Sequence, residues 1–135
     1  MITFLLALSF VPFQASTANQ QFDCKWDDKA LPCEMKTTTA HYTIAVYNKC
    51  KEGTEYTCRD YVYTSVDQKG RRFTLQHGRM AYRVCPYDNI TPCEQQGWVF
   101  RNGNTEYLVR YPTGTLEVRQ GDKLLLREEA ISVEP

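Results

Sequence analysis

Trp98-Val99-Phe100-Arg101, then Asn102-Gly103-Asn104, then Glu106-Tyr107-Leu108-Val109-Arg110-Tyr111: the reading of this stretch decides the fold. Trp98 and Phe100 alternate with Val99 and Arg101, and beyond the interruption Tyr107, Val109 and Tyr111 resume the alternation with Leu108 and Arg110 opposite. A period of two belongs to a β-strand, whose successive side chains point to opposite faces. Asn-Gly tolerates the two positive φ angles of a type I′ turn, so the stretch predicts a hairpin. The rhythm continues toward the C-terminus. Pro112-Thr113-Gly114 breaks the run, Leu116 and Val118 alternate with Thr115, Glu117 and Arg119, Gln120-Gly121-Asp122 breaks it again, and Leu124 to Leu126 opens another strand. Gly97 to Ala130 therefore predicts a meander of four strands. Trp98, Phe100, Tyr107, Val109, Leu116, Val118, Leu124 and Leu126 are expected to share its core face, whereas Arg110→Ala on the other face should cost about half a kcal/mol or less.

The same reading extends backwards. Asn19 to Lys36 is polar and aperiodic and predicts a loop. Thr37 to Lys49 and Tyr56 to Val66 predict strands rich in β-branched and aromatic residues. Arg71 to Gln76 and Arg79 to Val84 predict two more, separated by a turn at His77-Gly78. The fold class is thus all-β: one small disulfide-bonded domain built as an antiparallel meander of about eight strands. A barrel or strongly curled sheet removes the exposed edges of such a meander, and an open sandwich is the alternative.

Residues 1–18 read as a signal peptide. Ile2 to Val11 is an apolar run too short to span a bilayer, no charged side chain precedes Asp23, and Ser16-Thr17-Ala18 offers small residues for cleavage after Ala18. Residues 19–135 are then the secreted all-β domain, in the extracellular space or periplasm. The six cysteines agree with an oxidising compartment. Cys24 and Cys33, Cys50 and Cys58, and Cys85 and Cys93 form three close couples around turn-like sequence. We expect the fully local pairing, each bridge contributing roughly 2 to 3 kcal/mol on the loop-entropy account. No couple has the spacing of a zinc knuckle.

Formal charge is balanced, with 16 Lys and Arg against 16 Asp and Glu. No global field draws the chain to nucleic acid, and no membrane span is expected in the mature chain. Lys69 to Arg127 nevertheless holds ten basic residues against five acidic ones. Within it Arg101, Arg110, Arg119 and Arg127 recur at intervals of nine, nine and eight, each opposite the apolar set of its strand. In register they would line one face, joined by Arg71, Arg72, Arg79 and Arg83. Guanidinium forks bind carboxylate or phosphate bidentately, so this face suits an anionic glycan, an acidic protein loop or another polyanion. The alternative is a solvated face of cross-strand pairs with Glu106 and Glu117.

A second candidate is the loop from Cys85 to Cys93, which displays Tyr87 and Ile90 between Pro86 and Pro92. Constraint of this kind lowers the ordering cost of binding. Asn89-Ile90-Thr91 within it matches the N-glycosylation sequon. Catalytic chemistry has few candidates. Asp60, Ser65 and His77 are the sole conceivable triad, with Ser65 in mid-strand rather than on the sharp turn of a hydrolase nucleophile. Asp27-Asp28 offers too few oxygens for calcium. Neither metal nor cofactor is expected.

Gly78, Ala81-Tyr82, Trp98-Val99-Phe100 and Asn102-Gly103 resemble the hairpin of the bacterial C-type lysozyme inhibitors, which are small exported β-barrels. The resemblance covers part of the chain, and lacks that family's Ser-Gly pair before the tyrosine, so no inhibitory residue carries across. The reading is a non-enzymatic exported binding module that engages a protein or anionic glycan through the Arg face or the Cys85–Cys93 loop. Inhibition of a secreted or cell-wall enzyme such as C-type lysozyme is the alternative.

Overall fold

The computed structural model describes residues 25–26, 29–30 and 33–134. Strands β1 (Lys25–Trp26) and β2 (Lys29–Ala30) form a small hairpin of their own. They are followed by β3 (Cys33–Thr38), β4 (Tyr42–Asn48), β5 (Tyr61–Asp67), β6 (Arg72–Val84), β7 (Pro92–Asn102), β8 (Thr105–Arg110), β9 (Leu116–Gln120), β10 (Lys123–Glu128) and β11 (Ser132–Glu134). These nine make one antiparallel sheet in the order β10-β9-β8-β7-β6-β5-β4-β3-β11, curled into a half-barrel. No helix occurs among the described residues, so none is long and apolar enough to cross a membrane. The proposed leader, Cys24 with its bridge to Cys33, and Asp27-Asp28 lie outside the described residues.

The β7–β8 hairpin forms, with Trp98 opposite Val109 and Phe100 opposite Tyr107. Its turn differs from the expected one: Asn102 ends β7 opposite Thr105, the two loop residues are Gly103-Asn104, and Gly103 alone takes a positive φ, 64°, which makes the turn type II′ rather than type I′. Val109 in turn faces Leu116, and Tyr107 faces Val118. Several boundaries differ from the sequence reading. β5 begins at Tyr61 rather than Tyr56, because the Thr57 and Cys58 N–H groups turn back onto the Thr54 carbonyl at 3.0 and 2.9 Å, and β7 begins at Pro92 rather than Gly97. The Thr37–Lys49 segment is two strands, because Thr39 turns the chain: its N–H donates to the Tyr42 carbonyl at 2.8 Å and its Oγ1 accepts from the Tyr42 N–H at 3.2 Å. Cys33 to Lys36, expected to be loop, belongs to β3. His77-Gly78 is a bulge within a strand rather than a turn between two. His77 takes φ 63°, and β6 runs on for 13 residues, pairing first with β5 and then with β7. Only glycine fits at 78, where a Cβ would lie 2.1 Å from the Phe100 ring.

The concave face of the sheet carries the main core. Met35, Ile44, Val46, Tyr61, Tyr63 and Leu75 meet Met80, Trp98, Phe100, Val109, Leu116 and Val118 there. Tyr107 and Leu126 pack against it at partial burial, as their positions predict. Leu124 does not. A register shift between Leu124 and Leu126 pairs Leu124 with Arg119 on the convex face, where it is exposed. Ala45, Tyr47, Val62 and Val66 form a smaller buried cluster from the intervening positions of β4 and β5.

The curl is held at its ends. Glu128, the last residue of β10, accepts from Thr39 Oγ1 at 2.6 Å and from the His41 N–H at 3.2 Å. Thr37 Oγ1, on β3, donates to the Gly114 carbonyl at 3.1 Å. Burial acts to raise the Glu128 carboxyl, but the hydrogen bonds from Thr39 and His41 together outweigh it and hold the group below its ordinary range. Cys50–Cys58 and Cys85–Cys93 are bonded, the first within the β4–β5 connection and the second from the start of the β6–β7 connection to the second residue of β7.

Candidate functional site

Arg101, Arg110, Arg119 and Arg127 follow Phe100, Val109, Val118 and Leu126, whose side chains point into the core, so all four stand on the convex face. Their charge is largely compensated there. Glu117 sits among them at 2% exposure and accepts from Arg110 Nε and Nη2 at 3.0 and 3.2 Å. Arg127 Nη1 reaches it at 2.9 Å and Arg119 Nη2 at 3.6 Å, while Arg101 pairs with Glu106 at 3.0 Å. Hydrogen bonds from Arg110 outweigh burial, and with the three guanidinium charges they hold the Glu117 carboxyl below its ordinary range. This compensation changes the expectation for Arg110. Its removal strips a bidentate partner from a buried carboxylate, so Arg110→Ala should cost about 1 to 2 kcal/mol rather than half. Urea unfolding beside Arg71→Ala, an exposed turn pair with Asp67, checks this. Equal midpoints would show that Arg110 bears no such weight.

The Cys85–Cys93 loop presents a different surface. Tyr87 and Ile90 are 79% and 76% exposed, the two most exposed large hydrophobic side chains among the described residues. The loop beneath them is tied internally. Cys85 N–H donates to the Thr91 carbonyl at 2.8 Å, and Asn89 N–H donates to the Cys85 carbonyl at 2.9 Å. The Asp88 carboxylate accepts from the Thr91 hydroxyl and from the backbone N–H groups of Ile90 and Thr91, at 2.9 and 3.0 Å for the latter two. Those bonds, the Thr91 hydroxyl foremost, hold the Asp88 carboxyl below its ordinary range. Asn89 adopts φ 56° at the exposed tip.

Three of the surface hollows bear on the candidate residues. The concave side opens over Tyr42, Tyr63, Ser65, Phe73 and Tyr107 in a space of about 280 Å³. On the convex side Arg59, Gln76, His77, Arg79 and Arg101 line a hollow of about 170 Å³. A neighbouring hollow of about 470 Å³ shares Arg59 and Arg79 and adds Tyr56 and Tyr82, whose rings meet edge to face at 5.3 Å. Sequence reading attached Arg79 to the basic face but missed Arg59, which reaches it because β5 lies beside β6.

Asp60, Ser65 and His77 are not brought together: Ser65 lines the concave hollow and His77 the convex one. Burial pushes the Tyr63 phenol well above its ordinary value. Among the described residues no group of three His, Cys, Asp or Glu side chains is placed to hold a metal ion. No protein-family model, curated protein or solved structure matches the chain significantly.

Proposed function

We propose that the chain is a non-enzymatic binding module of the extracellular or periplasmic space that docks a protein partner through the Cys85–Cys93 loop. The observation that carries this reading is the exposure of Tyr87 and Ile90 on a loop closed by a disulfide and fixed by Asp88. The backbone of a preordered loop loses little freedom when a pocket receives its exposed apolar side chains, so less of the gain from their burial is offset by ordering. The four arginines of the convex face support docking less well, since Glu117 and Glu106 already engage them.

Inhibition of a secreted enzyme is the second reading, favoured by the same constrained loop. Both are tested with C-type lysozyme as the first probe and a photo-cross-linker at position 87 as the second. Inhibition at near-stoichiometric protein, weakened about 30-fold by Tyr87→Ala or Ile90→Ala, is the outcome for an inhibitor whose loop is the hot spot. If lysozyme is untouched, cross-linking at position 87 but not at exposed Leu125 should yield an adduct that unlabelled wild-type protein competes away and Ile90→Asp protein does not. Equal adducts at 87 and 125 would sink the docking reading.

A further inference from the structure

The arginines of this sheet divide by partner. Arg71, Arg83, Arg101, Arg110, Arg119 and Arg127 each meet a carboxylate, at Asp67, Glu94, Glu106 or Glu117. Arg59 and Arg79 meet none among the described residues. These two line both hollows, which adjoin at the edge of β6 beyond the start of β5, and no Asp or Glu lines either hollow. Arg79 is half-buried. Two like charges held side by side without a counter-charge raise each other's energy, and an anion placed between them relieves it.

The surroundings narrow the class of anion. At one end Arg59 and Arg79 are joined by Gln76 and by the His77 ring from the bulge, while Arg101 Nη2 is turned to Glu106 at 3.0 Å. Left-handed φ is uncommon for a non-glycine residue, and bulges in mid-strand commonly re-aim side chains beside functional sites. Here the bulge at His77, φ 63°, sets Gln76, His77 and Arg79 along the same hollow. The second hollow, which adjoins the first through Arg59 and Arg79, is aromatic: Tyr56 and Tyr82 wall it beside Met80, which reaches it from the core. A cationic centre suits an acidic substituent, an amide and an imidazole suit hydroxyl groups, and tyrosine faces suit the apolar face of a sugar ring.

We propose that the groove formed by Tyr56, Tyr82, Arg59, Arg79, Gln76 and His77 is a binding site for an anionic oligosaccharide, with a sulfate or uronate group held between Arg59 and Arg79. This site is separate from the Cys85–Cys93 loop and stands whether or not the loop docks a protein. It also relocates glycan recognition from the compensated arginines around Glu117 to the two left uncompensated.

Calorimetric titration at fixed ionic strength tests it with a heparin-derived hexasaccharide, a tetragalacturonate, inorganic sulfate and a glutamate hexapeptide. Saturable binding of one of the two glycans is expected, at least tenfold tighter than inorganic sulfate or the peptide. The glycan that binds identifies the acidic group. Arg79→Ala should weaken that binding at least tenfold and Arg59→Ala severalfold, with Arg71→Ala at the wild-type value. Arg59 is exposed, so its variant keeps the fold if the half-buried Arg79 variant does not. Amide shifts on titrating the wild type should centre on 56–59, 76–79 and 82. Absence of saturable binding by both glycans, equal binding of sulfate or peptide, equal loss in Arg71→Ala, or shifts centred on Arg110 and Arg127 would each overturn the proposal.

Discussion

Trp98→Ala should lower the unfolding free energy by about 3 to 5 kcal/mol, the range for deleting a large aromatic from a packed core. Trp98 is 1% exposed. Its backbone pairs with Met80 on β6 and Val109 on β8, so its side chain stands in the middle of the sheet. Its ring meets Tyr111 edge to face at 5.9 Å and Tyr61 at 6.5 Å. Alanine would leave a cavity bounded by two neighbouring strands, which a hydrogen-bonded sheet cannot collapse to fill. The indole N–H has no acceptor among the described residues, which works against this residue. Trp98→Phe removes that unsatisfied donor while keeping most of the ring, so its loss should stay near 1 kcal/mol. Urea unfolding of both variants with the disulfides intact decides the matter. Equal losses would show that ring volume is not what Trp98 contributes.

The part of the fold that could be read beforehand is the part whose signals are backbone signals. Gly103 specifies its turn through positive φ, at the first rather than the second loop position, and alternation on either side places Trp98, Phe100, Tyr107 and Val109 inward without further information. Thr39 turns the chain by a side-chain hydrogen bond to Tyr42, without glycine or proline, and so two strands read as one. His77-Gly78 misleads in the opposite direction. A left-handed residue before glycine serves a hairpin and a bulge equally, and the distinction lies in whether β6 finds a second partner in β7. Leu124-Leu125-Leu126 has no phase, since three apolar residues in succession fit either register; the bulge then chooses. For the sites, bracketing cysteines made Tyr87 and Ile90 readable as displayed residues. Arg59 and Arg79 were not readable as a pair, because they are 20 positions apart and meet only through the β5–β6 register.

Glu117→Gln should destabilise the protein by about 3 kcal/mol at neutral pH, since breaking a buried ion cluster from one side strands the opposite charges. Three guanidinium groups converge on this carboxylate, but they are 42 to 50% exposed and water takes up part of their charge, which keeps the loss at the low end. Acid supplies the second signature. The folded Glu117 carboxyl lies below its ordinary value of 4.5, so it binds protons less readily than in the unfolded chain. Its contribution is therefore complete above that value and is lost as pH falls through the folded one. Wild-type protein should lose stability steeply below pH 4.5. Glu117→Gln protein should lose less over the same interval, with a residual slope from Glu128, whose carboxyl is lowered as well. Unfolding midpoints of the two proteins should thus converge as the solution is acidified from neutral. Parallel curves would mean that Glu117 is no better stabilised in the fold than in the open chain, and that the convex arginines have no internal counter-charge after all.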